Sequence, residues 1–207
     1  LEAYLFATRG QWEAFTRQLL GENAGPFLAI PRGGYTSAAR TVLYDLGGPR
    51  RDLTALAGHE GWHLYAQATF AQPLPTWADE GIATVMEGHR TLESGVVFLP
   101  WCNLERYDQL RKAAAAGRLA PLRRLLSESP GTLLAAGAEE SLRYYGQVWA
   151  LVHFLREGEG GKHRAALEKL VSDAAEARLS AFVLTQMGER AAGSLTAKRI
   201  GPMIFRA

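Results

Sequence analysis

Short alternating stretches occupy the first third of the chain, and helical periodicity takes over in the rest. Residues EAYLFAT, 2–8, alternate as a strand does, and GQWEAFTRQLLG reads as a helix. Glycines and prolines then mark turns around RTVLYDL, 40–46, a second alternating run. Asp52 is placed to N-cap the next helix, which runs to about Phe70 and ends at AQPLP. Thr76 is placed to cap a second short helix, WADEGIATVME, closed by Gly88. GVVFLP is a further candidate strand. NLERYDQLRKAAAAG, LRRLLSES, AEESLRYYGQVWALVHFLREG and KHRAALEKLVSDAAEA follow as helices joined by short connections. The tail SLTAKRIGPMIFRA has no clear period. Strands early and helices late predict an α+β fold.

Composition narrows the classes. A length of 207 residues with 47% apolar content suits one domain, 1–207. Residues 1–90 would hold the sheet and the first helices, and 91–207 a mainly helical subdomain. A net charge of +2, with basic residues scattered and no aromatic-basic stripe, speaks against a nucleic-acid partner. No apolar run approaches the ~18 residues of a membrane helix, so no integral membrane segment is expected. The single cysteine, Cys102, excludes an internal disulfide framework and a cysteine-based metal cluster, and it reads as a partly buried thiol. The chain begins at Leu1 and not at methionine, so a missing N-terminal segment is expected, and the absence of a visible signal peptide says nothing about export; localisation stays open, with the periplasm or exterior favoured. Nothing in the sequence fixes the oligomeric state.

The densest chemistry lies in GHEGWHLYAQATF, 58–70. Two glycines weaken a helix here by about 1 kcal/mol each relative to alanine. Between and after them stand His59, Glu60 and His63. Positions i and i+4 share a helix face, so the two imidazoles can hold one Zn²⁺ while Glu60 serves as a base. The plain alternative is a surface helix with two solvated histidines. A hydrolytic zinc site needs a third protein ligand and an open position. Sixteen residues separate His63 from Glu80, at the start of the next helix, and a turn-back would complete a His₂Glu set. Glu80 read alone is also an ordinary first-turn acid. Asp79 fits a capping-box role with Thr76 better than a ligand role. Glu87, two turns beyond Glu80, is a candidate to support the ligands but reads first as solvated. Gly58 and Gly61 would keep the metal helix thin enough for a backbone or a substrate to approach.

The pair HEGWH and LPTWADEGIATVMEG resembles the gluzincin branch of zinc metallopeptidases, and in particular the peptidase-MA-like domains of bacterial proteins. Pro75, Trp77, Glu80, Gly81 and Ala83 match that group's Pro-x-Trp-x-x-Glu-Gly-x-Ala segment, and YYGQVWALVHFL resembles its tyrosine-containing helix. The resemblance covers roughly residues 40 to 156. It implies a thermolysin-like core, with a small sheet, a metal helix beneath it and a helical C-terminal half. It also implies zinc-dependent hydrolysis of peptide bonds in a peptide or protein substrate, with one Zn²⁺ per chain. His59, His63 and Glu80 then become ligands and Glu60 the general base. Tyr145 becomes the stabiliser of the tetrahedral intermediate, in preference to Tyr144, which points about 100° away on a helix. The competing function is a catalytically silent domain of the same fold that binds peptide or protein.

Secondary expectations complete the reading. RTVLYDL could offer a sheet edge to an extended peptide. His89 should meet the carbonyls at a helix end. His163 falls in a polar helix start. His153 shares a face with Tyr145 and reads as a hydrogen-bonded core histidine, with a place in the cleft as the alternative.

Overall fold

In the computed structural model, which describes residues 1–30, 33–128 and 137–187, the chain opens with β1 (Glu2–Phe6) and helix α1 (Arg9–Leu20). Thr8 caps α1, its hydroxyl accepting from the Gln11 N–H at 3.3 Å. A short helix, α2 (Gly25–Leu28), precedes β2 (Gly34–Ser37) and β3 (Arg40–Tyr44). The three strands form one mixed sheet in the order β1-β3-β2, with β1 parallel and β2 antiparallel to β3. The α1 side chain Trp12 is fully buried against this sheet and donates its indole N–H to the Val42 carbonyl at 3.1 Å. With Tyr35, Val42 and Tyr44 it makes the core of this layer.

The RTVLYDL strand therefore lies at the centre of the sheet, paired on both sides, and has no edge to offer. The edge beside the following helix is β2. The turn that joins β2 to β3 places Ala38 and Ala39 at positive φ, 50° and 56°. That conformation costs a residue with a Cβ roughly 1 kcal/mol or more. Gln67 braces the turn, accepting from the Ala39 N–H at 3.1 Å and donating to the Thr36 carbonyl at 3.2 Å.

Helix α3 (Arg50–Thr69) follows, then α4 (Thr76–Met86). The expected caps, Asp52 and Thr76, are corrected by three residues and one residue respectively. Pro49 and Pro75, both in extended conformation, precede the helices, and their carbonyls accept the first-turn N–H groups, that of Asp52 at 2.8 Å and those of Ala78 and Asp79 at 2.9 Å. Asp52 and Thr76 lie inside the first turns and not at the cap positions. A hairpin of β4 (His89–Leu92) and β5 (Gly95–Phe98) comes next, of which only the second strand is legible in the sequence. The remainder is helical: α5 (Leu104–Ala115), α6 (Leu122–Ser127), α7 (Ala138–Glu157), α8 (Arg164–Ala175) and α9 (Ala181–Met187). The predicted helices recur at these places, α9 was not foreseen, and the tail from Ser194 lies outside the described residues. The fold is α+β with a small mixed sheet, as expected.

The helical core gathers Phe70, Leu74, Ile82, Val85, Trp149 and Val152 where α3, α4, α7 and α8 meet. Glycines set the crossings. A Cβ on Gly58 would stand 2.4 Å from the Met86 carbonyl oxygen, so α3 and α4 touch through backbone there. A Cβ on Gly81 would stand 2.9 Å from the Val148 carbonyl oxygen on α7. Gly61 differs from expectation: nothing lies within 4 Å of its Cβ position, and no neighbouring backbone accounts for it.

Candidate functional site

The α3–α4 crossing at Gly58 puts the next residue, His59, opposite Glu80 and Glu87. One helical turn later His63 faces Glu80 and Asp79. The two imidazole Nε2 atoms are 3.2 Å apart, and Glu80 Oε2 lies 3.4 Å from each. A tetrahedral ion with bonds of about 2.0–2.1 Å spaces its ligand atoms by about 3.3–3.4 Å. The three atoms thus form a triangle with the edge length of such a coordination shell. Glu80 Oε2 is buried, and its geometry toward neither imidazole makes a hydrogen bond. A buried carboxylate oxygen without a hydrogen bond is costly unless a cation completes it. Both the spacing and the orphaned oxygen fit a zinc ion among His59, His63 and Glu80, the group whose ligand atoms converge.

The outer ring nitrogens are also taken. His59 Nδ1 is 2.8 Å from Glu87 Oε1. Glu87 is not solvated, contrary to its first reading. Its side chain is 9% exposed, it accepts two hydrogen bonds of 2.8 Å from the Arg106 guanidinium, and Asn103 Nδ2 donates to it at 2.8 Å. Asn103 also donates to the Thr84 carbonyl at 2.7 Å, which pins the start of α5 against α4. His63 Nδ1 is 3.3 Å from Asp79 Oδ2, and Trp62 Nε1 donates to the other Asp79 oxygen at 2.8 Å. Asp79 therefore holds a histidine and makes no cap. A carboxylate on Nδ1 fixes the ring orientation and leaves Nε2 with its lone pair for a metal.

Charge follows from this arrangement. Burial pulls the His59 pKa down, but Glu80 and Glu87 outweigh it and lift it to about 9. Burial opposes protonation of His63 as well, yet Asp79 and Glu80 hold its pKa well above the ordinary value. Burial raises the pKa of Glu80, but the two histidines bring it far below the usual carboxylate range. The pocket favours positive charge, whether protons or a cation.

Glu60 shares this helical turn but stands apart from the three converging atoms. It is 6% exposed, and its Oε2 accepts from the Thr36 hydroxyl of β2 at 2.8 Å. Thr36 Oγ1 is in turn 2.7 Å from Thr41 Oγ1. Tyr145 stands edge-on to His59, with ring centroids 6.0 Å apart, and the Arg106 guanidinium carbon lies 5.0 Å from its ring centroid. The Glu80 charge, and burial after it, push the phenol pKa well above its ordinary value. Tyr144 is fully buried in a cluster with Leu125 and Val148.

The other histidines divide. His89 Nδ1 meets the Glu87 carbonyl at 2.9 Å, at the end of α4. His153 stacks on Trp149 with ring centroids 5.7 Å apart, and its buried Nδ1 has no hydrogen bond among the described residues. His163 sits at the start of α8 beside Glu159. Cys102 is half-buried. Arg106, Asn103 and Thr36 had no signal in the sequence, because each reaches the site from another element.

No family model matches the chain, and no curated protein or solved structure matches it.

Proposed function

We propose that this chain is a zinc-dependent peptidase of gluzincin type, with a thermolysin-like arrangement of sheet, metal helix and helical half. The observation that carries the reading is the triangle of His59 Nε2, His63 Nε2 and Glu80 Oε2, with sides of 3.2, 3.4 and 3.4 Å. The resemblance of HEGWH and LPTWADEGIATVMEG to that group supports it. Zinc held there supplies a Lewis acid toward a carbonyl oxygen and lowers the pKa of water.

The chain's own residues do the rest. Glu60 accepts the proton of the attacking water as its oxygen adds to the scissile carbonyl carbon. It then gives that proton to the leaving nitrogen as the C–N bond breaks. The Thr36 hydroxyl holds the Glu60 side chain in place through a hydrogen bond of 2.8 Å. The Tyr145 phenol, kept protonated by its surroundings, donates to the oxyanion of the tetrahedral intermediate. Glu87 and Asp79 keep both imidazoles turned with Nε2 inward. An extended peptide lies along β2, the sheet edge from which Thr36 reaches Glu60.

The test is Glu60→Gln, assayed on an unfolded protein substrate. Glutamine keeps the shape and cannot take the proton, so zinc content stays at the wild-type level and turnover falls by about 10²–10⁴-fold. Undiminished turnover would move the base elsewhere. Zinc binding with no cleavage by the wild type would mark the chain as a binding module.

A further inference from the structure

The His59 and Tyr145 side chains come from different helices, yet one side chain from a third helix touches both the carboxylate behind His59 and the ring of Tyr145. Arg106 of α5 grips Glu87 with two parallel hydrogen bonds of 2.8 Å, through Nε and Nη2. Its Nη1 donates to Gln109 Oε1 at 2.9 Å. The guanidinium plane is therefore fixed along its whole fork, with 14% of the side chain exposed. Tyr145 lies against it, the ring centroid 5.0 Å from the guanidinium carbon. The backbone keeps this distance short. Gly146, next to Tyr145, lets α7 close on α5, and a Cβ there would stand 3.2 Å from the Arg106 carbonyl oxygen and 3.0 Å from the Leu110 nitrogen. Asn103 anchors the other end of the same turn, accepting from the Arg106 N–H at 3.2 Å while donating to Glu87.

From this geometry we infer that Arg106 is the positioning residue that sets the metal ligand His59 and the donor Tyr145 together. It rests on the zinc reading of the site. Through Glu87 it fixes the His59 ring with Nε2 inward. Through its cation, held 5.0 Å from the ring centroid, it fixes where the Tyr145 hydroxyl stands. The two tasks need a flat, forked cation. A lysine ammonium carries the charge but neither the bidentate grip nor the stacking plane.

The experiment compares the wild type with Arg106→Gln and Arg106→Lys, each first shown to be folded by its thermal transition. Two readouts need no catalysis. Zinc affinity is measured by competition with a chelator. The posture of Tyr145 is read from the ¹⁹F resonance of 3-fluorotyrosine in the zinc-loaded protein, identified by its loss in Tyr145→Phe. Arg106→Gln is expected to weaken zinc by about 10–100-fold, the usual effect of losing an outer support of a ligand. It is also expected to move or broaden the Tyr145 resonance. Arg106→Lys restores only part of either. Tyr145→Phe leaves zinc affinity unchanged. Wild-type zinc affinity or an unmoved Tyr145 resonance in folded Arg106→Gln overturns the inference, and so does full rescue by lysine, which would reduce Arg106 to a neutralising charge. Failure of the wild type to cleave peptide would remove the hydrolytic reading and leave both readouts standing.

Discussion

His59 and His63 stand one turn apart on α3, and each has a carboxylate on its outer nitrogen, but the two supports are built differently. Glu87 behind His59 is 9% exposed and locked by Arg106 and Asn103. Asp79 behind His63 is 32% exposed, 3.3 Å away, and has one indole donor. The first is a closed network that fixes geometry. The second is a looser, wetter contact. Under the proposed zinc reading, the His59 side would hold the ion in register, and the His63 side would be the one free to yield.

The largest effect that separates the two sides is expected from removing the carboxylates. Glu87→Ala leaves the Arg106 guanidinium buried without its partner, which costs about 3–5 kcal/mol of stability, and it weakens zinc by about 10–100-fold. Asp79→Ala should cost less than about 1 kcal/mol, because its charge is partly solvated, and weaken zinc by less than about tenfold. Denaturant unfolding and chelator competition measure both. Equal losses on the two sides would end the comparison.

The glycines test it next. Gly58→Ala drives a methyl group into the Met86 carbonyl at the crossing that aligns His59, and a loss of about 1–3 kcal/mol is expected. Gly61→Ala meets nothing and should gain about 1 kcal/mol from helix propensity. If Gly61 is kept for a substrate, that more stable variant loses kcat/KM while its zinc affinity stays unchanged. An undiminished kcat/KM would leave Gly61 without a role. The smallest effect belongs to Trp62→Phe, which removes one hydrogen bond to Asp79 and should weaken zinc by no more than a few-fold.

Reading along the chain reached the parts of the site that are local. The His59, Glu60 and His63 spacing works because one helix face gathers i and i+4, and Glu80 follows from a single turn-back between adjacent helices. Glu87 lay on the right face, but its burial depends on Arg106 and Asn103, 19 and 16 residues further on, and no periodicity in the sequence reports a contact between helices. β2 was missed because its turn is Ala38-Ala39. Two alanines at positive φ carry none of the Asn-Gly signal of a tight hairpin, and the brace that stabilises them, Gln67, comes from α3. Without β2, the alternation of RTVLYDL reads as a sheet edge, whereas the strand lies at the centre. The helices fared better, since periodic apolar positions over ten or more residues survive whatever the tertiary packing does. Their caps did not, because Pro49 and Pro75 supply carbonyls where a side-chain cap was sought.

The central claim is that three side chains from two helices hold one metal ion. The most direct test is the zinc content of the purified chain by elemental analysis, beside that of His63→Ala, with circular dichroism to show that the variant is folded. About one zinc per chain in the wild type and close to none in His63→Ala is the predicted result. Equal zinc in the two folded proteins, or none in a wild type supplied with excess zinc, would contradict it.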